Sequence, residues 1–223
     1  MSLLTFNGVG KTFSGIGGST TVLRDISFAV DAGQFVAVTG PSGQGKSTLL
    51  AIAAGLLPPD QGDVLFCDES VYRMSESRMN TYRTEDLGFI LQKPKTFAAL
   101  TAYENLLFTL KRRFGREAKE RAEAALEAYG LTEVADNLPS QLSFGQLRRL
   151  SIARTLALEP RLLLADEPTN DLDVRWCDRV MDDLAAFAAQ EGRAVIMVTH
   201  DTRYAPRVPI RYQLREEGLT RCE

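Results

Sequence analysis

The sequence is poor in the residues that staple or metallate proteins, with three cysteines and one histidine in 223 residues. Cys67, Cys177 and Cys222 are odd in number, far apart and form no C-x-x-C pair. That pattern excludes a disulfide framework and a zinc ribbon and is expected of reduced thiols in a cytosol. Long apolar runs are missing too. The longest candidate, AIAAGLL, falls far short of the roughly 20 residues that span a bilayer. The opening MSLLTFNGVGK lacks the apolar stretch and cleavage pattern of a signal peptide. Any work at a membrane would therefore need another chain to do the spanning. Nor is there an excess of positive charge: 26 Lys and Arg stand against 29 Asp and Glu, for a net charge of −3. Nucleic acid is not expected as a partner, because phosphate backbones are bound by clustered cations. The local cluster Lys111-Arg112-Arg113 reads as a solvated helix end. Internal repeats and low-complexity tracts are absent.

What is present is an ordinary globular composition, 44% apolar and 25% charged. The length suits one large α/β domain, or one domain with an inserted subdomain. Short β-like runs recur: LLTFNGV, TVLRDISFAV, QFVAVTG, DVLF, LGFIL, RLLLAD, AVIMVT and IRYQL. QFVAVTG, RLLLAD and AVIMVT are apolar on both faces, as buried parallel strands are. Between Lys95 and Leu158 helical patterns replace strands. Thr101-x-x-Glu104 is a capping box that opens TAYENLLFTLKRR. REAKERAEAALEAYG follows, with a Glu117–Arg121 pair at i,i+4 and Gly130 as its C-terminal stop. A block of helices set into a β/α alternation predicts an inserted helical subdomain. Past RLLLAD, a helix with Trp176, Val180, Leu184 and Phe187 on one face is expected to run to Gly192. Pro58-Pro59 and the Pro206/Pro209 pair mark loops.

Chemistry concentrates where strands end. After QFVAVTG comes Gly40-Pro41-Ser42-Gly43-Gln44-Gly45-Lys46-Ser47-Thr48 and then a helical stretch. This is G-x-x-x-x-G-K-S in the strand–loop–helix setting it requires. The glycines let backbone N–H groups turn in on phosphate oxygens, and the helix N-terminus adds partial positive charge there. Lys46 can reach the β- and γ-phosphates of a nucleotide, and the Ser47 hydroxyl can ligate Mg²⁺. RLLLAD delivers Asp166 at the end where open α/β sheets bind ligands, as a partner for Mg²⁺ through water. Glu167 follows as a candidate general base for an attacking water. His200, at the tip of AVIMVT and followed by Asp201, stands where a side chain can sense a γ-phosphate; a lone histidine is otherwise structural or solvated. Gln92, closing LGFIL, can reach Mg²⁺ or the attacking water, or be an ordinary strand-end amide. Ser143-Phe144-Gly145-Gln146 opens the next helix with an S-x-x-Q capping box, and these residues alone leave open whether they cap or also bind.

In order, GPSGQGKST, the glutamine of FILQ, LSFGQLRRLSIAR, LLLADEPT, the turn NDLD and the histidine of VTHD resemble the nucleotide-binding subunit of an ATP-binding cassette (ABC) transporter over essentially the whole chain. The resemblance implies a P-loop NTPase (RecA-like) α/β core with a mainly parallel sheet. To this core are added an N-terminal antiparallel β-subdomain and the inserted α-helical subdomain. Residues 1–94 and 159–223 would form the core and β-subdomain, and 95–158 the helical subdomain. It implies an ATPase using ATP and Mg²⁺, with Ser47, Gln92 and Asp166 at the metal. Phe13 would stack on adenine with Val22 beside it. Two copies would meet head to tail, so that Ser143, Phe144, Gly145 and Gln146 touch the γ-phosphate held by the other copy, with Asp173 at the seam. An integral membrane, permease-type subunit would be the second partner, placing this chain on the cytoplasmic face of a bacterial inner membrane.

Two departures stand out. Phe144 replaces the first glycine of the usual LSGGQ, and one arrangement has its ring packing on the helical subdomain. Lys93-Pro94-Lys95 lies where such ATPases receive the membrane partner's coupling helix. The extended loop GIGGSTT, LTAYEN and the polar residue ahead of the leucine in NDLD are most similar to the lipoprotein-release, macrolide-export and cell-division branch. That likeness implies export or extraction of a lipid, lipoprotein or hydrophobic compound. The alternatives are mechanical signalling across the membrane without cargo and a non-transport ABC ATPase. A P-loop kinase would have no need of LSFGQ.

Overall fold

The computed structural model describes residues 2–15 and 18–222. Two sheets organise it. The first is antiparallel and four-stranded, in the order β2 (Gly18–Asp31), β1 (Ser2–Gly15), β4 (Gln61–Phe66), β5 (Glu69–Ser70). The second has six strands in the order β10 (Gly218–Arg221), β9 (Ile210–Arg215), β3 (Phe35–Thr39), β8 (Ala194–Thr199), β7 (Leu162–Asp166), β6 (Leu87–Ile90). Five of these run parallel, and only the β9–β10 hairpin is antiparallel.

Every residue of β7 and β8 is buried, which is why both read as unbroken apolar runs. Successive side chains alternate between two cores. Val36, Val38, Leu164 and Ile196 face the antiparallel sheet and α1 (Lys46–Ala53). Phe35, Ala37, Leu163 and Met197 face α6 (Val174–Ala188) and the helical block. That block is α3 (Ala102–Phe114), α4 (Ala118–Ala128) and α5 (Phe144–Ala157), all placed between β6 and β7. The expected fold class is therefore the one observed.

Local signals hold where one residue decides. Thr101 and Glu104 exchange both capping-box hydrogen bonds, at 3.2 and 2.9 Å. Gly130 takes φ 60°, and the amide of Leu131 after it returns to the Leu126 carbonyl at 2.8 Å, stopping α4. Three readings need correction. GIGGSTT is not a free loop: Gly18 to Thr21 continue β2, and Thr12 pairs with Thr21 and Phe13 with Thr20. β-branched and aromatic side chains favour that ladder; Ile16 and Gly17 lie outside the described residues. α6 ends at Ala188, not at Gly192, which sits in a later turn at φ 73°. A short helix, α2 (Glu76–Thr81), was not anticipated, although the Ser75 hydroxyl caps it by accepting from the Arg78 amide.

Candidate nucleotide site

The glycine-rich loop leaves β3 at Thr39 and enters α1 at Lys46. Gly45 is decisive in it. It takes φ 89°, and a Cβ there would lie 2.4 Å from Val22 Cγ1 and 2.9 Å from the Val22 carbonyl. The loop is thus held against β2 in a shape that a side chain would fill, and its amides can curl around an anion. Lys46 is nearly buried, and its Nζ donates to the Gly40 and Pro41 carbonyls at 2.7 and 2.9 Å. Burial holds the Lys46 ammonium below its usual range, while Glu167 and Asp166 push it back up.

Six residues from distant parts of the chain, Val22, Lys46, Ser47, Gln92, Asp166 and Glu167, meet around one cleft of about 300 Å³. Ser42, Gly43, Gly45 and Thr48 complete its wall. Burial raises the Asp166 carboxyl and a hydrogen bond from Ser47 lowers it. No cluster of three or more His, Cys, Asp or Glu among the described residues could hold a metal by itself. One hydroxyl and one carboxylate fit Mg²⁺ instead, which takes few protein ligands and completes its shell with phosphate oxygens and water.

Glu167 follows β7 at φ 47°, an uncommon conformation for a side-chain-bearing residue. The turn aims its buried carboxylate at the end of β8, where Thr199 Oγ1 donates at 2.9 Å and the His200 amide at 3.1 Å. His200 Nδ1 lies 2.6 Å from the same carboxylate. Sequence reading did not single out Thr199, although the Thr-His-Asp run ending β8 was its signal.

Not every expected residue lines this cleft. Gly40, Pro41 and the exposed His200 border a neighbouring cavity of about 490 Å³. Gln44 faces a groove beside Thr21 and Val22, and its Oε1 is buried without a hydrogen-bond partner. Phe13 is 43% exposed on β1, with the Lys11 ammonium 5.8 Å from its ring centre, and it lines none of these three spaces.

The tip of α5 also lies outside the cleft. Ser143 Oγ accepts from the Gln146 amide at 3.2 Å, and Gln146 Oε1 accepts from the Ser143 amide at 2.8 Å. The capping box is therefore real. Phe144 is 79% exposed, so its ring does not pack on the helical subdomain as one expectation had it. Gly145 lies against the turn NDLD: a Cβ there would sit 3.3 Å from the Asp171 carbonyl. Asp173 caps α6 by accepting from the Trp176 amide at 3.0 Å.

A sequence model of the ABC transporter family matches residues 23–170. Among solved structures the chain superposes on MJ0796, described as a bacterial ABC transporter cassette in dimeric form. The TM-score is 0.91 at 31% identity, over 98% of this chain and 97% of that one. A post-hydrolysis dimer of MJ0796 bound to ADP and Pi matches equally well, with a TM-score of 0.91 at 31% identity, over 99% and 97% of the two chains. CbiO1 from Clostridium perfringens, part of the CbiONQ ABC transporter complex, matches with a TM-score of 0.81 at 28% identity, over 98% and 87%.

Proposed function

This chain belongs to the ABC transporter family, and from that premise we propose that two copies close head to tail around two ATP molecules and drive a membrane subunit that exports or extracts a lipid, lipoprotein or hydrophobic compound. As an ABC cassette it is an ATPase, the nucleotide-hydrolysing subunit of a transporter. No helix among the described residues is long and apolar enough to cross a membrane. In this reading the cassette sits on the cytoplasmic face, against a partner that spans.

The observation that supports the head-to-tail arrangement is the position of the α5 tip. Ser143 and Phe144 are exposed and border no part of their own chain's cleft. A helix N-terminus with free N–H groups attracts an anion, so a phosphate carried by a second copy is its natural occupant. The loop amides and Lys46 would cradle the triphosphate of their own copy, and Val22 and Phe13 would flank the base. Mg²⁺, held by Ser47, by Gln92 and, through water, by Asp166, would neutralise charge developing on the phosphate oxygens. Glu167 would take the proton of the attacking water, oriented for it by Thr199 and His200. His200 sits on the Glu167 carboxylate and is placed to report on the γ-phosphate. Asp173, which closes the turn NDLD and caps α6, would lie at the seam.

Phe144 adds apolar area to the closing surface. Phe144→Gly should lower the thermal midpoint of the monomer only slightly, since the ring is exposed and a glycine in a helix costs at most about 1 kcal/mol. ATP-driven dimer formation should weaken. A dimerisation constant and hydrolysis rate both equal to wild type would make the ring dispensable.

The membrane partner has a candidate seat as well, joined to the expected Lys93-Pro94-Lys95 position through Phe97, which packs on Phe108. A groove of about 580 Å³ is lined by Phe108, Leu158 and four cations, Arg83, Lys111, Arg112 and Arg113, against one acid, Glu85. Phe108 is 60% exposed and packs edge-on against Phe97 at 5.0 Å. Such a surface suits a cytoplasmic segment with an apolar side chain between carboxylates. In vesicles containing the membrane subunit, hydrophobic cargo should accelerate phosphate release, and Phe108→Asp should abolish the acceleration while basal hydrolysis persists. Stimulation without cargo movement would assign the output to mechanical signalling. Equal stimulation in Phe108→Asp would move the docking site elsewhere.

A further inference from the structure

Arg148, one and a half turns into α5, is the largest side chain that the described fold buries completely. A guanidinium has five N–H donors in a planar fork and no acceptor. Here all five find main-chain carbonyls. Nε donates to Pro168 at 3.2 Å. Nη1 donates to Leu91 and, at 3.1 Å, to Gln92. Nη2 donates to Glu167 and, at 3.1 Å, to Asp166. The acceptors belong to two segments far apart in sequence, the one carrying Gln92 and the one carrying Asp166 and Glu167. Both contribute side chains to the cleft.

The Glu167 turn gains most from this fork. Its residue occupies φ 47°, and its two flanking peptide units are held from opposite sides: the Glu167 amide donates to the Val198 carbonyl at 3.0 Å, and its own carbonyl accepts from Arg148. The same helix carries Ser143 at its tip, about 7.5 Å along the axis at 1.5 Å per residue. We propose that Arg148 is a positioning residue: it locks the Glu167 turn and the Gln92 segment to α5. A phosphate contact at the helix tip and the carboxylate of the chain's own site then move as one body. This deepens the proposed function and rests on it, since it takes Glu167 as the base and a second copy's phosphate as the tip's ligand.

A lysine cannot replace the fork, because three donors on a point charge cannot span both segments. The test uses the full chain with Arg148→Gln and Arg148→Lys, and Glu167→Gln as reference. ATP affinity, KM and kcat for phosphate release, and ATP-dependent dimer by analytical ultracentrifugation are read together. Both Arg148 variants should lose about 10²-fold in kcat, the cost of a misplaced catalytic group. KM and ATP affinity should stay unchanged, and an ATP-bound dimer should accumulate although Glu167 is intact. Near-native turnover in Arg148→Gln would overturn the proposal. So would loss of dimer in step with loss of turnover, since Arg148 would then serve only helix packing. Should Arg148→Gln not fold, Arg148→Lys carries the same readouts, and wild-type kcat in it would be equally fatal. A Glu167→Gln reference that stays monomeric would sink the head-to-tail reading instead, leaving the Arg148 role to be decided on the split between kcat and KM.

Discussion

Glu167→Gln is expected to slow ATP hydrolysis by about 10²–10⁴-fold, the range a positioned general base contributes. The substitution removes the charge that would accept the water's proton and keeps the shape of the side chain. The turn should survive, because it is set through the main chain of residue 167 and not its carboxylate: φ 47°, the amide's bond to the Val198 carbonyl and the carbonyl's bond from the Arg148 fork. The Thr199 hydroxyl and the His200 ring, which now face the carboxylate, can each rotate or change tautomer to meet an amide. The cradle around Lys46 and Ser47 is untouched, so ATP affinity should remain. Closure without hydrolysis should then trap an ATP-bound dimer. Phosphate release and ultracentrifugation in ATP measure the two halves of this result. Ordinary turnover would remove Glu167 from the base role.

Gly45→Ala should damage the fold and the site together. At φ 89° an L side chain is strained, at a cost of about 1–3 kcal/mol. The added methyl would also stand 2.4 Å from Val22 Cγ1, and overpacking of this kind typically costs about 1–3 kcal/mol more. Any relief must move the loop away from β2, which spoils the ring of amides that would hold phosphate. A loss of about 2–6 kcal/mol in unfolding free energy is therefore expected by urea titration, with ATP binding weakened or abolished. Val22→Ala in the same chain should recover part of the stability by removing the methyl contact, but not all of it, because the backbone strain stays. Full recovery would show that crowding alone explains the glycine. No loss in the single variant would mean that the loop does not hold this shape in solution.

Most of the site's components could be read from the sequence because each sits at a chain position whose local physics is self-contained. A glycine-rich turn between an apolar strand and a helix is recognisable as a unit within nine residues, and RLLLADE ends in carboxylates at the edge of a buried sheet. Caps are equally local: Ser143 with Gln146 and Thr101 with Glu104 need only their own first turn. Arg148 shows the opposite case. In sequence it is one of two arginines in LRRLS, and nothing nearby distinguishes it from its exposed kind. A faint signal exists, since Arg148 shares the buried face of α5 with Ser151, Ile152 and Thr155, at the i, i+3, i+4, i+7 spacing. That spacing says the side chain is buried but not what receives it. The environment of Phe144 was equally hidden, because whether a ring at a helix start is covered depends on elements remote in the chain.

The sequence alone determined the order of the main strands and helices, though not β5, α2 or β10, together with the glycine-rich loop, the acidic pair closing β7 and the capped helix start. These follow from periodicity, side-chain volume and hydrogen bonds within a few residues. Tertiary structure alone decided that Gln92, Asp166 and Glu167 share one cleft with Lys46, that His200 leans on Glu167, and that five carbonyls from two separate segments converge on one buried guanidinium. The reason is physical. Strand order in a parallel sheet, and the packing of an inserted helical block against it, are set by long-range burial of apolar surface, which no local window of the chain contains.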